Sequence, residues 1–165
     1  MLYATSMTAI SDTINDRAIY YLDIQQDLQP FEAAELNNWV LFVIEDNIRN
    51  PILGQFADMC IDKDILSICA AGKAGSEVDD VFDFKMVDRG MEGKKLPSWF
   101  QTDDDVLMTS WHENFDEGFW FALTTANYRE LPIETVVVAN LTGDNYLPII
   151  QRLTKQIAVG WLPPD

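Results

Sequence analysis

Residues Trp39 to Ile44 read Trp-Val-Leu-Phe-Val-Ile, an apolar run with no polar interruption, closed by Glu45, Asp46 and Asn47. A strand with one wet face alternates apolar and polar residues. A continuous run rich in β-branched and aromatic side chains belongs instead to a strand covered on both faces. The pattern returns in Ile65–Ala71, Val106–Trp111 and Thr135–Leu141. Helix-period segments lie between these runs. Pro51–Asp62 carries Ile52, Phe56, Met59 and Cys60 on one side, and Val78, Val81 and Phe82 mark a helix ending near Gly90 or Gly93. Phe115, Phe119, Ala122, Leu123 and Ala126 mark another, and Tyr146, Ile149, Ile150, Leu153 and Ile157 the last. Such alternation predicts an α/β fold with three layers: a mostly parallel sheet of about four to five strands, helices on both faces. We expect one domain over residues 1–165, with 1–38 as an N-terminal extension.

That extension admits two readings. Ser11–Leu22 places Ile14, Ala18, Tyr21 and Leu22 on one helical face, while Ala18–Ile24 reads equally as extended. Gln29-Pro30 then breaks the chain, and Phe31–Asn38 is expected as a short helix. Two capping pairs are also expected, Ser76 with Asp79 and Asn114 with Glu117.

The chain carries 27 acidic and 11 basic residues, a net charge of −16. That balance opposes contact with nucleic acid and with anionic membranes, both of which need clustered Lys and Arg. It favours a basic protein partner through steering and complementarity. Residues Met1–Ile10 lack the basic and apolar regions of a secretory signal, and no apolar stretch reaches membrane-spanning length. Two cysteines, Cys60 and Cys69, suit a reducing compartment, so a cytoplasmic location is expected. With one histidine, no Cys/His metal site is expected, and no cofactor motif is present. The oligomeric state is left open.

In a parallel sheet the strand carboxyl ends share one edge, where ligands bind. Asp46, Glu77, His112, Glu113 and Asn140 would stand there, with His112 able to serve as a general base or a metal ligand near neutrality. Adjacent residues on a strand point to opposite faces, so His112 and Glu113 are not expected to act as a dyad. Gly72-Lys-Ala-Gly75 matches neither phosphate-loop pattern. Nucleophile elbows and metalloprotease helices are also absent.

The second candidate is electrostatic. Of the 27 acids, 12 fall within residues 77–117, against four basic residues there. Glu77, Asp79, Asp80, Asp83, Asp103, Asp104, Asp105, Glu113 and Asp116 are the candidate binding residues, with Trp99 as an exposed aromatic anchor among them. Like charges one helical turn apart, such as Asp79 and Asp83, destabilise an isolated helix, and a cationic partner is one reason to keep them.

The stretch from Trp39 through Gly72, Asp79-Asp80 and Met108-Thr-Ser-Trp-His-Glu113 resembles a family of small uncharacterised bacterial α/β proteins. In these a buried strand ends in Gly, acids follow, and a Thr-Trp-His-Glu-like strand end comes later. Ser110 stands before Trp111 here. The resemblance covers roughly residues 39–141 and implies no known activity. In size, charge and lack of catalytic motifs the chain also resembles immunity proteins of bacterial toxin–immunity (contact-dependent inhibition) systems, which implies a basic toxin domain as partner. Two expectations follow: an acidic protein-binding module that neutralises a toxin by occluding its basic cleft, or a small enzyme or ligand sensor at the His112 edge.

Overall fold

The computed structural model describes residues 7–25 and 27–165; residues 1–6 and 26, part of the N-terminal extension, lie outside the described residues. In chain order the elements are β1 (Thr8–Ile14), β2 (Arg17–Asp23), α1 (Gln29–Glu32), β3 (Trp39–Ile44), α2 (Leu53–Asp62) and β4 (Ser67–Ala71). They continue with α3 (Gly75–Glu92), β5 (Met108–Trp111), α4 (Phe115–Thr124), β6 (Thr135–Asn140) and α5 (Leu147–Ala158). The strands form one six-stranded sheet in the order β1-β2-β6-β3-β4-β5, parallel except for β1. The sheet is thus mostly parallel, as expected, but has more strands than the four to five predicted.

The additional strands come from the N-terminal hairpin. Its turn is Asn15-Asp16, with φ of 53° and 60°. A two-residue turn with positive φ at both positions carries the twist that flanking strands need, and Asn and Asp tolerate that region. The extended reading of Ala18–Ile24 is the one that forms. The helix considered for Ser11–Leu22 is overruled by the ladder to β6, which runs from Ala18–Thr135 to Asp23–Asn140. Helix α1 is shorter than the expected Phe31–Asn38 and begins earlier, with Pro30 in its first turn, where a fixed φ is favourable. Phe31 is buried against Trp39 and Phe56.

Helices cover both faces. Phe31 and Phe56 pack on the Trp39 side of β3, and α2 is tied to α3 by Asp58, which pairs with Lys85 at 2.9 Å and Arg89 at 3.1 Å. On the other face Phe42 packs edge-on against Phe115 and Phe119 of α4, and Phe115 stacks on Tyr146 at the start of α5. The reversal from β5 back to β6 places α4 on that second face, since crossovers keep one hand.

Two local readings are corrected. Ser76 does not cap α3: Ala74 holds the N-cap position without a side-chain bond, and the Ser76 hydroxyl donates to Glu77 instead. Asp46 takes over the neighbouring turn by accepting the Lys73 amide at 2.9 Å. The Val106–Trp111 run is not a buried strand. It shortens to β5 at the sheet edge, with Val106, Met108 and Trp111 exposed. The Asn114 cap does form, its side chain accepting the Glu117 amide at 3.1 Å. Among the described residues no helix is long and apolar enough to cross a membrane.

Candidate functional site

The helices after β3 and β6 leave toward opposite faces, so the boundary between these adjacent strands is the crevice where open α/β sheets take ligands. Here the chain fills that crevice with its own side chains. Glu45, 1% exposed, accepts the amides of Asp46 and Asn47 and the Asn50 side chain, each at 3.0 Å. Asn50 also donates to the Leu141 carbonyl at 3.3 Å, joining the two strand ends. Across the boundary, buried Asn140 donates to Asp23 at 2.8 Å and to the Asp144 carbonyl at 2.7 Å. Its oxygen accepts the Thr142 amide at 3.0 Å and the Thr142 hydroxyl at 2.7 Å. Burial raises the Glu45 carboxyl above the ordinary carboxylate range, and its three donors pull it partly back. Burial also pushes the Tyr21 phenol up, so it stays protonated and donates to Asp23 at 2.6 Å.

Gly72 closes the third side. Its φ is +93°, and a Cβ there would fall 2.4 Å from the Glu45 carbonyl oxygen and 2.9 Å from Asp46 Oδ1. Only a residue without a side chain lets the end of β4 come this near β3.

The sequence-predicted catalytic set does not gather at this point. Asn140 ends β6 and His112 follows β5, three strand positions apart in the sheet order. At about 4.8 Å per strand that is roughly 14 Å. His112 turns toward α4: its ring lies 5.0 Å from the Phe121 ring, and its Nε2 is 3.3 Å from the Ser110 hydroxyl. Burial lowers its pKa, and Glu117 counters this in part. Gly118 leaves the room it occupies, since a Cβ there would fall 2.9 Å from the His112 Cβ. Glu113 is exposed, and Asp46 is held by the Lys73 amide. His112, Glu113, Asp46 and Asn140 share an edge without forming one centre.

The acidic candidates divide around β5. Glu77, Asp80 and Asp83 are exposed on α3, and Asp103 and Asp104 are exposed on the loop after it. Glu113 and the half-buried Asp116 lie beyond β5, at the start of α4. Two candidates are structural. Trp99 is 8% exposed, packs at a tilt against Tyr128 with ring centroids 4.6 Å apart, and donates its indole N–H to the Ile65 carbonyl at 2.9 Å. It anchors the loop to the core rather than a partner to the surface. Asp105 is buried too, accepting the Gln101 and Thr102 amides and pairing with Arg129. Those amides and the guanidinium hold its carboxyl below the usual range.

The residues that the sequence reading missed are apolar. Phe84 (68% exposed), Val87 and Met91 (82%) form an outward stripe on α3 at helical spacing. Beside it runs a groove of about 530 Å³ whose apolar lining includes Met86, Val87, Met91, Leu96, Phe100 and Val106, with Asp83 and Asp103 at its rim. Met108 and Trp111 extend the exposure along β5. The four basic residues of this segment are already engaged: Lys85 and Arg89 with Asp58, Arg89 with Asp62, Lys94 with Glu92, and Lys95 donating to the Asp62 carbonyl. Among the described residues Asp80, Asp83, Asp88, Asp103 and Asp104 make no ion pair. The result is an apolar surface ringed by uncompensated carboxylates. The spacing of Phe84, Val87 and Met91 in an acidic helix was the available signal.

Asp79 sits where α3 meets β5. Burial raises its carboxyl above the ordinary range, Asp80 adds to this, and Thr109 partly offsets it. A carboxylate whose pKa is raised by folding makes the folded state bind protons more readily. Stability therefore falls as pH rises through the unfolded and then the folded pKa, and the cost is fully present above both. Asp79→Asn is expected to raise stability at pH 7 by about 0.5–2 kcal/mol, the range common for a single stabilising substitution, because it removes a charge that burial disfavours. The gain should vanish below about pH 3, where both states carry the proton. Thermal melts across this pH range check it; a variant less stable than wild type at pH 7 would refute the assignment.

Residues 19–157 match the model of a protein family described as Domain of unknown function (DUF7684). No curated protein matches the chain.

Proposed function

The chain belongs to that family. We propose that it is an acidic protein-binding module, most concretely an immunity protein that neutralises a cognate toxin by occluding its basic cleft. The observation that carries the reading is the α3–β5 face, where exposed Phe84, Val87 and Met91 and the adjoining groove stand among unpaired Asp80, Asp83, Asp88 and Asp103. Apolar side chains supply burial on association, and the acids select and steer a basic partner. Exposed apolar area of this kind, rimmed by charge, marks an interaction surface. A cytoplasmic location would suit such a role, as would the net charge of −16.

Affinity capture from the native lysate at graded salt, comparing wild type with the double variant Val87→Lys and Met91→Lys, tests the reading. A basic protein is expected to be retained by wild type at low salt, released at high salt, and not retained by the variant. That protein, expressed alone, should arrest growth, with growth restored on co-expression of this chain. Equal retention by the variant, or a retained protein that is harmless alone, would sink the proposal.

A further inference from the structure

The two edges of the sheet are not alike. At one, β1 departs from regular pairing between Ile10 and Ile14, a device that blunts an edge. At the other, β5 pairs with β4 in unbroken register from Ser67–Met108 to Ala70–Trp111. It carries no Lys and no Pro, and Met108 and Trp111 are exposed along it. The His112 amide donates inward to the Ala70 carbonyl at 3.1 Å. Successive residues of a strand turn their N–H and C=O to alternate sides, so Thr109 and Trp111 present theirs outward, to the open edge.

We propose that β5 takes up an extended segment of the basic partner as a seventh strand, with Lys or Arg side chains of that segment facing Asp79 and Asp83 on the α3 side. This rests on the binding role proposed above. Main-chain bonds to Thr109 and Trp111 give such a segment its grip, and side chains at alternate positions reach the acids of α3 or the α4 side. A second copy of this chain is a poor occupant: it would bring the same carboxylates, on a net charge of −16, against Asp79, Asp80 and Asp83. A basic segment brings the opposite sign to the same place.

The test uses a synthetic end-blocked peptide of alternating Lys and Val residues and two variants of the full chain. Trp111→Pro removes the outward N–H and leaves the inward bonds of Ser110 and His112; edge strands tolerate Pro at such positions. Trp111→Ala loses the same indole but keeps the N–H. The peptide should bind the Pro variant about three- to tenfold more weakly than the Ala variant, the loss of one hydrogen bond. In the wild-type protein the Thr109 and Trp111 amides should exchange more slowly with peptide bound, a readout that does not depend on either variant folding. Equal affinity for both variants, or unchanged exchange, overturns strand addition. If binding nevertheless falls in an Asp80→Lys, Asp83→Lys variant, the acidic docking face survives that failure. If the double reversal binds the peptide as wild type does, or wild type does not bind it, both readings fall.

Discussion

Reversing Asp80, Asp83 and Asp103 together to lysine is expected to slow association with the basic partner by about ten- to a thousandfold at low salt, the range over which electrostatic steering acts. The three carboxylates are exposed and make no ion pair among the described residues; Asp83 and Asp103 line the groove beside α3, and Asp80 lies one helical turn before Phe84 on the same helix. None bonds to the core, so their reversal should leave the fold intact. Partial desolvation on the helix surface and the proximity of Asp79 and Asp80 raise the Asp83 carboxyl, so mutual repulsion is already present on this helix. A cation arriving here relieves it, whereas a lysine built into the helix removes the attraction. Stopped-flow association at several ionic strengths gives the answer. The wild-type rate should fall steeply with salt and the variant rate should not. An equal reversal at Asp12, Glu35 and Asp165, away from α3, serves as the comparison. If that set slows association as much, net charge rather than this face is responsible.

Replacing Gly72 by alanine should lower stability by roughly 2–5 kcal/mol. About 1–2 kcal/mol comes from left-handed backbone in a residue bearing a Cβ. A further 1–3 kcal/mol, approximately, comes from forcing atoms into a packed site. The site cannot yield easily, because the nearest atom is the backbone carbonyl oxygen of Glu45, 2.4 Å from the position an ideal Cβ takes. That carbonyl accepts the Ala74 amide at 3.0 Å, and the Glu45 side chain is itself held by three donors. Relaxation would have to open the join between β3 and β4 at their carboxyl ends. Urea unfolding should show a lower midpoint with an unchanged slope. A midpoint within error of wild type would mean that the β3–β4 join is looser than its hydrogen bonds imply.

The filled boundary between β3 and β6 bears on function as well. A small-molecule enzyme on this fold would use the β3–β6 boundary, where Glu45, Asn50, Asn140 and Thr142 instead bond to one another and to the main chain. His112 lies on the far side of β4 and faces Phe121. The open polar and apolar surface is elsewhere, on α3 and β5.

The linear pattern of residues is enough for the layered α/β plan, because apolar runs such as Trp39–Ile44 and Thr135–Asn140 can be buried only beneath helices on both faces. It also determined the Asn114 cap and the concentration of acids in residues 77–117, which are local or compositional properties. The remaining features depend on contacts between residues distant in the chain. The hairpin at Asn15-Asp16 became legible only once β6 was available to pair with β2, since the periodicity of Ile14, Ala18 and Tyr21 serves a helix equally well. Val106–Trp111 has the composition of a buried strand, yet strand order makes it an edge, and no local pattern encodes strand order. Trp99 and Asp105 sit in a polar stretch that reads as surface, and both are drawn inside by distant partners, the Ile65 carbonyl and Arg129. Burial is a property of what the rest of the chain brings alongside, and a side chain's own sequence neighbours do not carry that information.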